Sequence, residues 1–247
     1  MNLSNKVIVV TGGAQGIGLA IAQRCAQAGA AVALWDYRAD AIASAVQQVA
    51  DHVARAEVAG FVVDVADFSA VQAALQATLA RFGRIDGLVN NAGVTADAQL
   101  TRMTEAQFDR VIGVNLKGVF NCTRAGVDAL IASGGAIVNI SSIVGLSGNF
   151  GQTNYAAAKA GVLGMSKTWA RELGRKGVRS NAVCPGFIDT PILQSMPGKL
   201  VEEMVAQVPQ RRMGQPREIA AAVVFLLSSE ASYINGATLE VTGGLTL

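Results

Sequence analysis

Residues 6–18, KVIVVTGGAQGIG, join a short run of β-branched residues to the start of a helical pattern. The glycines at positions 12, 16 and 18 permit a sharp turn from strand to helix, because glycine accepts backbone conformations that other residues avoid. They also let backbone amides approach a phosphate at the positive end of the helix. The spacing G-x-x-x-G-x-G differs from G-x-G-x-x-G, so the turn indicates either a nucleotide site or a plain tight connection.

The hydrophobic pattern along the rest of the chain predicts the fold. Short runs rich in Val and Ile are apolar at nearly every position and alternate with Ala-rich segments of helical period. Continuously apolar strands are typical of a parallel sheet that is covered on both faces. Alternating strands and helices predict right-handed crossovers. The expected fold class is therefore α/β: a single-domain, doubly wound Rossmann fold over residues 1–247, with a seven-stranded parallel sheet and helices on both faces.

The expected elements follow from this pattern. The predicted strands are residues 7–10, 31–35, 60–63, 88–90, 136–140, 178–183 and 238–241. The predicted helices are residues 17–27, 39–49, 69–82, 104–131, 155–173, 201–208 and 217–227.

Composition excludes several classes of protein. Of the 247 residues, 51% are hydrophobic and 15% are charged, against roughly 25% charged in an average soluble domain. Such a chain can bury a large core, and a surface so poor in charge indicates contact with other subunits. The net charge of +2 is too small to imply a nucleic-acid or membrane partner.

Cysteine and histidine usage restricts both compartment and chemistry. Cys25, Cys122 and Cys184 lie far apart and form no CxxC pair, as expected for buried thiols in a reducing compartment. No signal-peptide pattern is found at the start, so the cytoplasm is the expected location. His52 is the single histidine and no G-x-S-x-G motif occurs, which argues against a Ser-His-Asp triad and a typical zinc site. No metal is expected.

Residues 187–212 form an expected insertion between the sixth strand and the last helix. The segment holds three prolines and the amphipathic stretch VEEMVAQV. Loops this long in a compact domain are usually functional, so the segment is either a lid over the substrate or a passive surface excursion. Substrate specificity is expected on its apolar side chains, which are Phe187, Ile188, Ile192, Leu193 and Met196.

The second predicted strand is followed by Asp36, 18 residues after Gly18. A carboxylate there can accept hydrogen bonds from both hydroxyls of an adenosine ribose. It would also repel the 2′-phosphate of NADP. Asp36 could instead cap the next helix. Arg38 is a nearby cation that would favour a phosphate, so the two side chains have opposite effects on the choice of dinucleotide.

Tyr155 and Lys159 are four residues apart and share one face of a predicted helix. A phenol has a reference pKa of about 10, and a neighbouring ammonium lowers this pKa, which makes the tyrosine a competent acid or base. Ser141 and Ser142 end the fifth strand, at the sheet edge where α/β proteins bind ligands. A hydroxyl there could hold a substrate carbonyl, or simply mark the turn that ends the strand.

These motifs together resemble the short-chain dehydrogenases/reductases over essentially the whole chain. The matching elements, in order, are TGGAQGIG at 11–18, Asp36, DV at 64–65, NNAG at 90–93, Asn115, Ser142, YAAAK at 155–159, PG at 185–186 and Thr190. Each is weak alone, but their common register is specific. The resemblance implies an enzyme, an NAD(P)(H)-dependent oxidoreductase that acts on CH–OH groups.

The resemblance also implies a role for each matching position. Tyr155 would pass a proton to or from the substrate oxygen, and Lys159 would lower the tyrosine pKa and bind the nicotinamide ribose. Ser142 would polarise the carbonyl, and Asn115 would hold a water of the proton relay. Ser141 is set aside, because Ser142 has the family spacing of 13 residues to Tyr155. The implied cofactor-binding positions are Gly12, Gln15, Gly16, Ile17, Gly18, Asp36, Asp64, Val65, Asn90, Ala92, Gly93, Tyr155, Lys159, Pro185, Gly186, Ile188 and Thr190. The implied substrate positions are Ser142, Gln152, Tyr155 and Phe187.

Within the family, GNFGQTNYAAAKAG, NAVCPGFIDT and YINGATLEVTGG most resemble 3-oxoacyl-acyl-carrier-protein reductases. Those enzymes usually take NADPH, carry a basic residue where this chain has Gln15, and usually lack an aspartate at position 36. Gln15 with Asp36 therefore favours NAD(H) over NADP(H). They also dock an acidic carrier protein on two basic regions. Here ALIASGGAIV carries no positive charge and only Arg175 and Lys176 match, so half of the docking patch is present.

The sequence leaves three functions open. The main hypothesis is a reductase of 3-oxoacyl thioesters, on acyl carrier protein or CoA, as in fatty acid metabolism. The alternative is an NAD-dependent secondary-alcohol dehydrogenase or carbonyl reductase on small free ketones. A remote alternative is a non-catalytic dinucleotide-binding sensor, against which the intact catalytic set argues. The resemblance further implies a homotetramer.

Overall fold

The computed structural model describes residues 1–54, 56–190 and 198–246, and its described part contains a seven-stranded sheet. The strands are β1 (Val7–Thr11), β2 (Ala31–Asp36), β3 (Val58–Val62), β4 (Gly87–Asn90), β5 (Ala136–Ile140), β6 (Arg179–Pro185) and β7 (Thr238–Val241). They lie in the order β3-β2-β1-β4-β5-β6-β7, and every neighbouring pair is parallel. The predicted seven-stranded parallel sheet is confirmed, with strand ends within two residues of those expected.

The helices also follow the predicted order, with two differences. They are α1 (Gly16–Gln27), α2 (Ala39–His52), α3 (Phe68–Phe82), α4 (Glu105–Ile112), α5 (Gly118–Ser133), α6 (Val144–Ser147), α7 (Thr153–Leu173), α8 (Gly198–Gln207) and α9 (Pro216–Leu227). The single helix expected at 104–131 is two α-helices joined by a π-helical turn at Gly113–Lys117. The four-residue helix α6 was not expected, because it is shorter than a hydrophobic period can reveal. No described helix is both long and apolar enough to cross a membrane.

Two hydrophobic layers cover the sheet, one on each face. Val10 and Leu34 pack with Ile21 of α1 and Val223 of α9 in one layer. The neighbouring residue Val9 enters the other layer, which the helices α3 and α5 complete. Consecutive strand residues enter opposite layers because side chains alternate along a strand. Every residue of β1 is therefore buried, as its unbroken apolar sequence predicts.

The strand order places a crevice at one edge of the sheet. The chain winds from β1 outward to β3 and then returns to pair β4 with the other side of β1. In parallel sheets the connections leave β1 and β4 in opposite directions at this point, which opens a crevice beyond their carboxyl ends. The glycine turn follows β1 at this edge, and the segments after β4, β5 and β6 begin at the same edge.

The predicted insertion is closed at its base. Ile188 and Gly214 form a parallel bridge, in which the Gly214 amide donates to the Phe187 carbonyl at 2.9 Å. Next to it, the two terminal guanidinium nitrogens of Arg212 donate to the two carboxylate oxygens of Glu218, at 2.8 and 2.6 Å. These bonds lower the pKa of Glu218 to about 2. Residues 191–197 lie outside the described residues, and with them the proposed specificity positions Ile192, Leu193 and Met196.

A buried carboxylate, Asp86, holds the amino-terminal ends of β1 and β4 together. It accepts hydrogen bonds from the Val7 amide at 2.9 Å, from Lys6 Nζ at 3.2 Å, and from Arg84 Nε and a terminal Arg84 nitrogen at 2.8 and 2.6 Å. Burial alone would raise the pKa of Asp86, but the bonds from Arg84, Val7 and Lys6 outweigh it and hold this pKa below its usual value.

We expect Asp86→Asn to lower the free energy of unfolding by about 1–3 kcal/mol at pH 7, because the charged partners lose their acceptor. A lowered folded-state pKa stabilises the fold above the unfolded carboxyl pKa of about 3.9, and this contribution is lost as the pH falls through the folded value. The difference between wild type and variant should therefore narrow below about pH 4. Urea unfolding from pH 7 down to pH 3 measures it, with exposed Asp51→Asn as the control. A difference of the same size at pH 3 would contradict this account.

Candidate active site

The glycine turn forms the first wall of the crevice. Gly12 and Gly16 have φ angles of 61° and 53°, a left-handed region that favours glycine. A Cβ at Gly18 would lie 2.1 Å from the Gly12 carbonyl oxygen, so α1 packs directly on the turn. A Cβ at Gly16 would meet only Thr190, at 3.8 Å. The turn thus faces Thr190, which the sequence assigned to the same cofactor, across a narrow gap in which a Cβ at Gly16 would already touch Thr190.

The amino-terminal end of α1 points into this gap. Within the described residues, the Gln15 side chain makes no capping hydrogen bond and the first turn of α1 holds no acidic residue. The first backbone amides of a helix have no partner inside the helix and carry a partial positive charge. The end of α1 is therefore suited to an anionic group such as a pyrophosphate.

Asn91, which the sequence interpretation passed over, fastens the glycine turn to the end of β4. Its Nδ2 donates to the carbonyls of Thr11 and Gly12 at 2.9 and 3.1 Å. The Thr11 hydroxyl in turn accepts from the amides of Asn91 and Ala92, both at 3.0 Å. Asn91 lies inside the NNAG motif at 90–93, so the sequence did mark this region. Which of the two asparagines reaches the glycine turn depends on a contact between distant loops, which the sequence does not show.

Asn90, assigned to the cofactor from the sequence, points into the sheet instead. Its Nδ2 donates to the Thr123 hydroxyl at 3.0 Å and to Asn139 Oδ1 at 2.8 Å. Among the described side chains, its Oδ1 is a buried oxygen with no hydrogen-bond partner. Asn90, Val65 and Ala92 line one narrow crevice beside Thr11.

Asp36 ends β2 beside the glycine turn. Its carboxylate is buried and accepts hydrogen bonds from the amides of Ala14 and Arg38, each at 3.1 Å. The Arg38 Nε lies 3.6 Å from the same carboxylate. Asp36 does not cap α2, whose N-cap position is Arg38. The acidic group therefore stands where β1, β2 and the glycine turn meet, with one cation next to it.

Ser142, Tyr155 and Lys159 come together at the carboxyl end of β5. The Ser142 side chain lies close enough to Tyr155 to lower the pKa of its phenol, and Lys159 Nζ lies 5.5 Å from the centre of the Tyr155 ring. Lys159 is buried and its Nζ donates to the Ile140 carbonyl at 2.8 Å. The one face of α7 that carries Tyr155 and Lys159 thus meets the strand end that carries Ser142.

Burial, rather than charge, sets the proton affinities of this pair. Burial raises the pKa of Tyr155, the Ser142 hydrogen bond lowers it, and the nearby charge of Asp97 raises it further. Burial also lowers the pKa of Lys159 to about 8. The Lys159 ammonium is directed at the Ile140 carbonyl here, and its expected effect on the tyrosine pKa stays a prediction.

Asn115 lies in the π-helical turn and is fully buried. Both ends of its amide bind the backbone of Val94: Oδ1 accepts from the Val94 amide and Nδ2 donates to the Val94 carbonyl, each at 2.9 Å. The side-chain amide is thus engaged by Val94, and the expected role of Asn115 in holding a water stays a prediction. Asn115 instead fixes the segment that follows β4 and Gly93.

The remaining predicted positions surround this centre. The amide of Gln152 donates to Asp97 at 2.9 Å and accepts from Asn149 at 2.9 Å, which orders the segment before Tyr155. Gly186, after Pro185 at the end of β6, donates its amide to the Val241 carbonyl at 3.0 Å.

Phe187, the first residue of the insertion at 187–212, lies beside Tyr155. Its ring packs in the hydrophobic cluster that includes Tyr155. A cavity of about 340 Å³ next to Phe187 and Ile188 is lined by Arg212, Glu218 and Thr242. This cavity is separate from the catalytic hydroxyls. In the described residues, no group of three or more His, Cys, Asp or Glu side chains could hold a metal ion.

Comparison with known proteins explains this geometry. The family model described as "Enoyl-(Acyl carrier protein) reductase" matches residues 12–246. The chain is 45% identical to the 3-oxoacyl-(acyl-carrier-protein) reductase FabG of Thermotoga maritima over 100% of both chains. It is 45% identical to the (3R)-3-hydroxyacyl-CoA dehydrogenase of Canis lupus familiaris, covering 99% of this chain and 98% of that one. The chain belongs to the short-chain dehydrogenase/reductase family.

A solved structure agrees with this assignment. The crystal structure of levodione reductase superposes with a TM-score of 0.95 at 39% identity, covering 98% of each chain. As a member of the family, the chain is an oxidoreductase of CH–OH groups that uses a nicotinamide dinucleotide. The glycine turn, the open amino-terminal end of α1 and the gap opposite Thr190 fit such a cofactor.

We expect Gly16→Leu to weaken dinucleotide binding by about 100-fold or more, because the side chain would project into the gap between the turn and Thr190. Gly83→Leu is the matched control: Gly83 also has a positive φ, of 77°, but a Cβ there meets nothing within 4 Å. Both variants carry similar backbone strain, so their melting temperatures should fall alike. Fluorescence titration with NADH measures binding, and equal affinity in the two variants would contradict the assignment of the gap.

Proposed function

We propose that this enzyme interconverts 3-oxoacyl thioesters and their 3-hydroxy forms, with Tyr155 as the proton donor in reduction. The observation that carries the proposal is the meeting of Ser142, Tyr155 and Lys159 at the carboxyl end of β5, where the Ser142 side chain is close enough to lower the pKa of Tyr155 and Lys159 Nζ lies 5.5 Å from the Tyr155 ring. Two O–H groups that meet at one point can both donate to a carbonyl oxygen placed between them. Relatives whose names specify 3-oxoacyl and 3-hydroxyacyl thioesters, at 45% identity over nearly the whole chain, support the substrate class.

Each catalytic side chain has a distinct task in this proposal. The nicotinamide ring supplies or takes the hydride when the dinucleotide is bound. Tyr155 donates its proton to the developing alkoxide, and the raised pKa of Tyr155 keeps the phenol protonated for this purpose. Ser142 orients the carbonyl by donating a second hydrogen bond. Lys159 binds the ribose of the cofactor and supplies positive charge close to the phenol ring.

The acyl chain of the substrate could be carried by an acyl carrier protein or by CoA. Arg175 and Lys176 are exposed in a short 3₁₀ turn before β6, where they could contact an acidic carrier protein. The segment before β5 adds no positive charge to this patch. We infer that a CoA thioester is a sufficient substrate. The second candidate is the reduction of a free ketone, for which the similar structure of levodione reductase, at 39% identity, gives weaker support than the thioester relatives give the first.

We infer that the enzyme prefers NAD(H) to NADP(H). The buried Asp36 carboxylate stands at the end of β2 next to the glycine turn, where the adenosine ribose is expected. A 2′-phosphate there would meet this negative charge in a partly dehydrated site, where repulsion is strong. Arg38 weakens the effect but already lies 3.6 Å from Asp36, so its charge is partly engaged.

Assembly and location follow from the surface and the thiols. We infer a homotetramer, supported by apolar side chains exposed on α3, α4, α5 and the edge strand β7, which are Phe68, Phe108, Phe120 and Leu239. Cys25, Cys122 and Cys184 are all free and buried. Free buried thiols are in keeping with a reducing compartment, and we infer the cytoplasm.

We expect the wild-type enzyme to oxidise NADH with acetoacetyl-CoA, and Tyr155→Phe to lower kcat by about 10²–10⁴-fold without weakening NADH binding. Tyr233→Phe is the control, because the Tyr233 side chain is fully exposed. Nicotinamide absorbance gives the rates and fluorescence titration gives the binding constants.

Other outcomes of this experiment select other functions. Full turnover by Tyr155→Phe would remove the catalytic assignment. Turnover of cyclic diketones or simple ketones alone would favour the free-ketone reductase, and turnover of crotonyl-CoA alone would favour enoyl reduction. Tight dinucleotide binding with no turnover of any of these substrates would favour the sensor.

We expect Asp36→Asn to lower the ratio of kcat/KM with NADH to kcat/KM with NADPH by about tenfold or more, because the repelling charge is lost. Arg38→Ala should act in the opposite direction, by reducing the use of NADPH. Initial rates at several concentrations of each dinucleotide measure the ratio. An unchanged ratio in both variants would show that neither side chain selects the cofactor.

A further inference from the structure

Three consecutive residues at the end of β5 contact the catalytic pair on α7. The Ile140 carbonyl accepts from Lys159 Nζ at 2.8 Å. The Ser141 hydroxyl donates to the backbone carbonyl of Lys159, also at 2.8 Å. Ser142, the next residue, faces Tyr155 and lowers the pKa of its phenol. One tripeptide therefore holds the side chain and the backbone of Lys159 and places Ser142 beside Tyr155.

Ser141 is itself fixed from a second direction. It is 2% exposed, and its amide donates to the Val183 carbonyl of β6 at 2.8 Å. The donor that binds α7 is thus held by the sheet and is not free to follow a movement of the helix.

The backbone of α7 is in close contact at the same turn. A Cβ at Gly145 in α6 would lie 2.8 Å from the carbonyl carbon of Lys159 and 3.0 Å from the amide nitrogen of Ala160. Such distances require a residue without a side chain. The helix is therefore pressed against α6 at Lys159, while the Ser141 hydroxyl binds the carbonyl of the same residue.

We propose that Ser141 is a positioning residue for the reaction: its hydrogen bond to the Lys159 carbonyl fixes α7 at the height that places Tyr155 and Lys159 opposite Ser142. Hydrogen bonds are directional and weaken steeply when their geometry is lost. A bond from a fixed strand end to the backbone of the catalytic lysine consequently limits sliding and rotation of the helix. This inference rests on the catalytic roles proposed above for Tyr155 and Lys159.

Ser141→Ala tests the proposal because it removes the hydroxyl and little volume. We expect kcat to fall by about 10- to 100-fold, since a small misplacement of reacting groups is costly. KM for dinucleotide and thioester should stay within about threefold of wild type. In the direction of alcohol oxidation, the rise of kcat/KM with pH should move to higher pH by about one unit, because the ammonium stabilises the phenolate less.

Ser166→Ala is the matched control. Ser166 lies on the same helix, is also 2% exposed, and its hydroxyl contacts the Ser180 hydroxyl at 3.2 Å. Its loss should lower the melting temperature about as much as the loss of the Ser141 hydroxyl, and should leave the pH profile unchanged. Ser141→Cys keeps a weak donor of similar size, so its kcat should lie between those of wild type and Ser141→Ala.

The outcomes separate this inference from the proposed function. Wild-type kcat and pH profile in a folded Ser141→Ala would overturn it, and so would an equal pH shift in Ser166→Ala. If Ser141→Ala does not fold, Ser141→Cys decides, because a wild-type pH profile at reduced stability would assign Ser141 a structural role alone. A wild-type enzyme inactive on every substrate would instead remove the proposed function. The profile is measured with 3-hydroxybutyryl-CoA and NAD.

Discussion

The parallel pairing of β1 with β4 is the constraint on which the rest of the structure depends. It places β2 and β3 on one side of β1 and β4 to β7 on the other. The connections therefore leave a crevice at the shared carboxyl edge. Every side chain of the candidate site comes from a segment that ends at this edge or packs on it. The Asn91 amide and the Thr11 hydroxyl fasten the two strand ends to each other, and the glycine turn takes its shape from that contact.

Local features of the sequence were sufficient for most of the fold and for placing Tyr155 and Lys159 together. Each strand is a mostly apolar run, and Tyr155 and Lys159 share a face because a helix turns every 3.6 residues. The side-chain contacts that the sequence could not predict join distant segments. The Asn115 amide forms hydrogen bonds with the backbone of Val94. Asn91, and not Asn90, donates to the glycine turn. No periodicity reports such contacts, and the π-helical turn that carries Asn115 has no sequence signature of its own.

Burial has a large effect on proton affinity at the site. A lysine four residues after a tyrosine is expected to stabilise a phenolate, while burial favours the neutral form of both groups. The ammonium of Lys159 donates to a backbone carbonyl of β5. Burial raises the pKa of Tyr155, which favours a protonated phenol in the resting site.

The two ends of the insertion at residues 187–212 are fixed to each other, which affects how much its length can vary. The Ile188–Gly214 bridge and the ion pair between Arg212 and Glu218 join the two ends of the segment, so the chain between them starts and finishes at fixed points. Doubling the length of such a loop costs only about 0.6 kcal/mol in closure entropy. Insertions and deletions between these anchors would leave the glycine turn and the catalytic helix in place. The same dinucleotide chemistry could thus be fitted to acyl chains of different length by editing one stretch of chain.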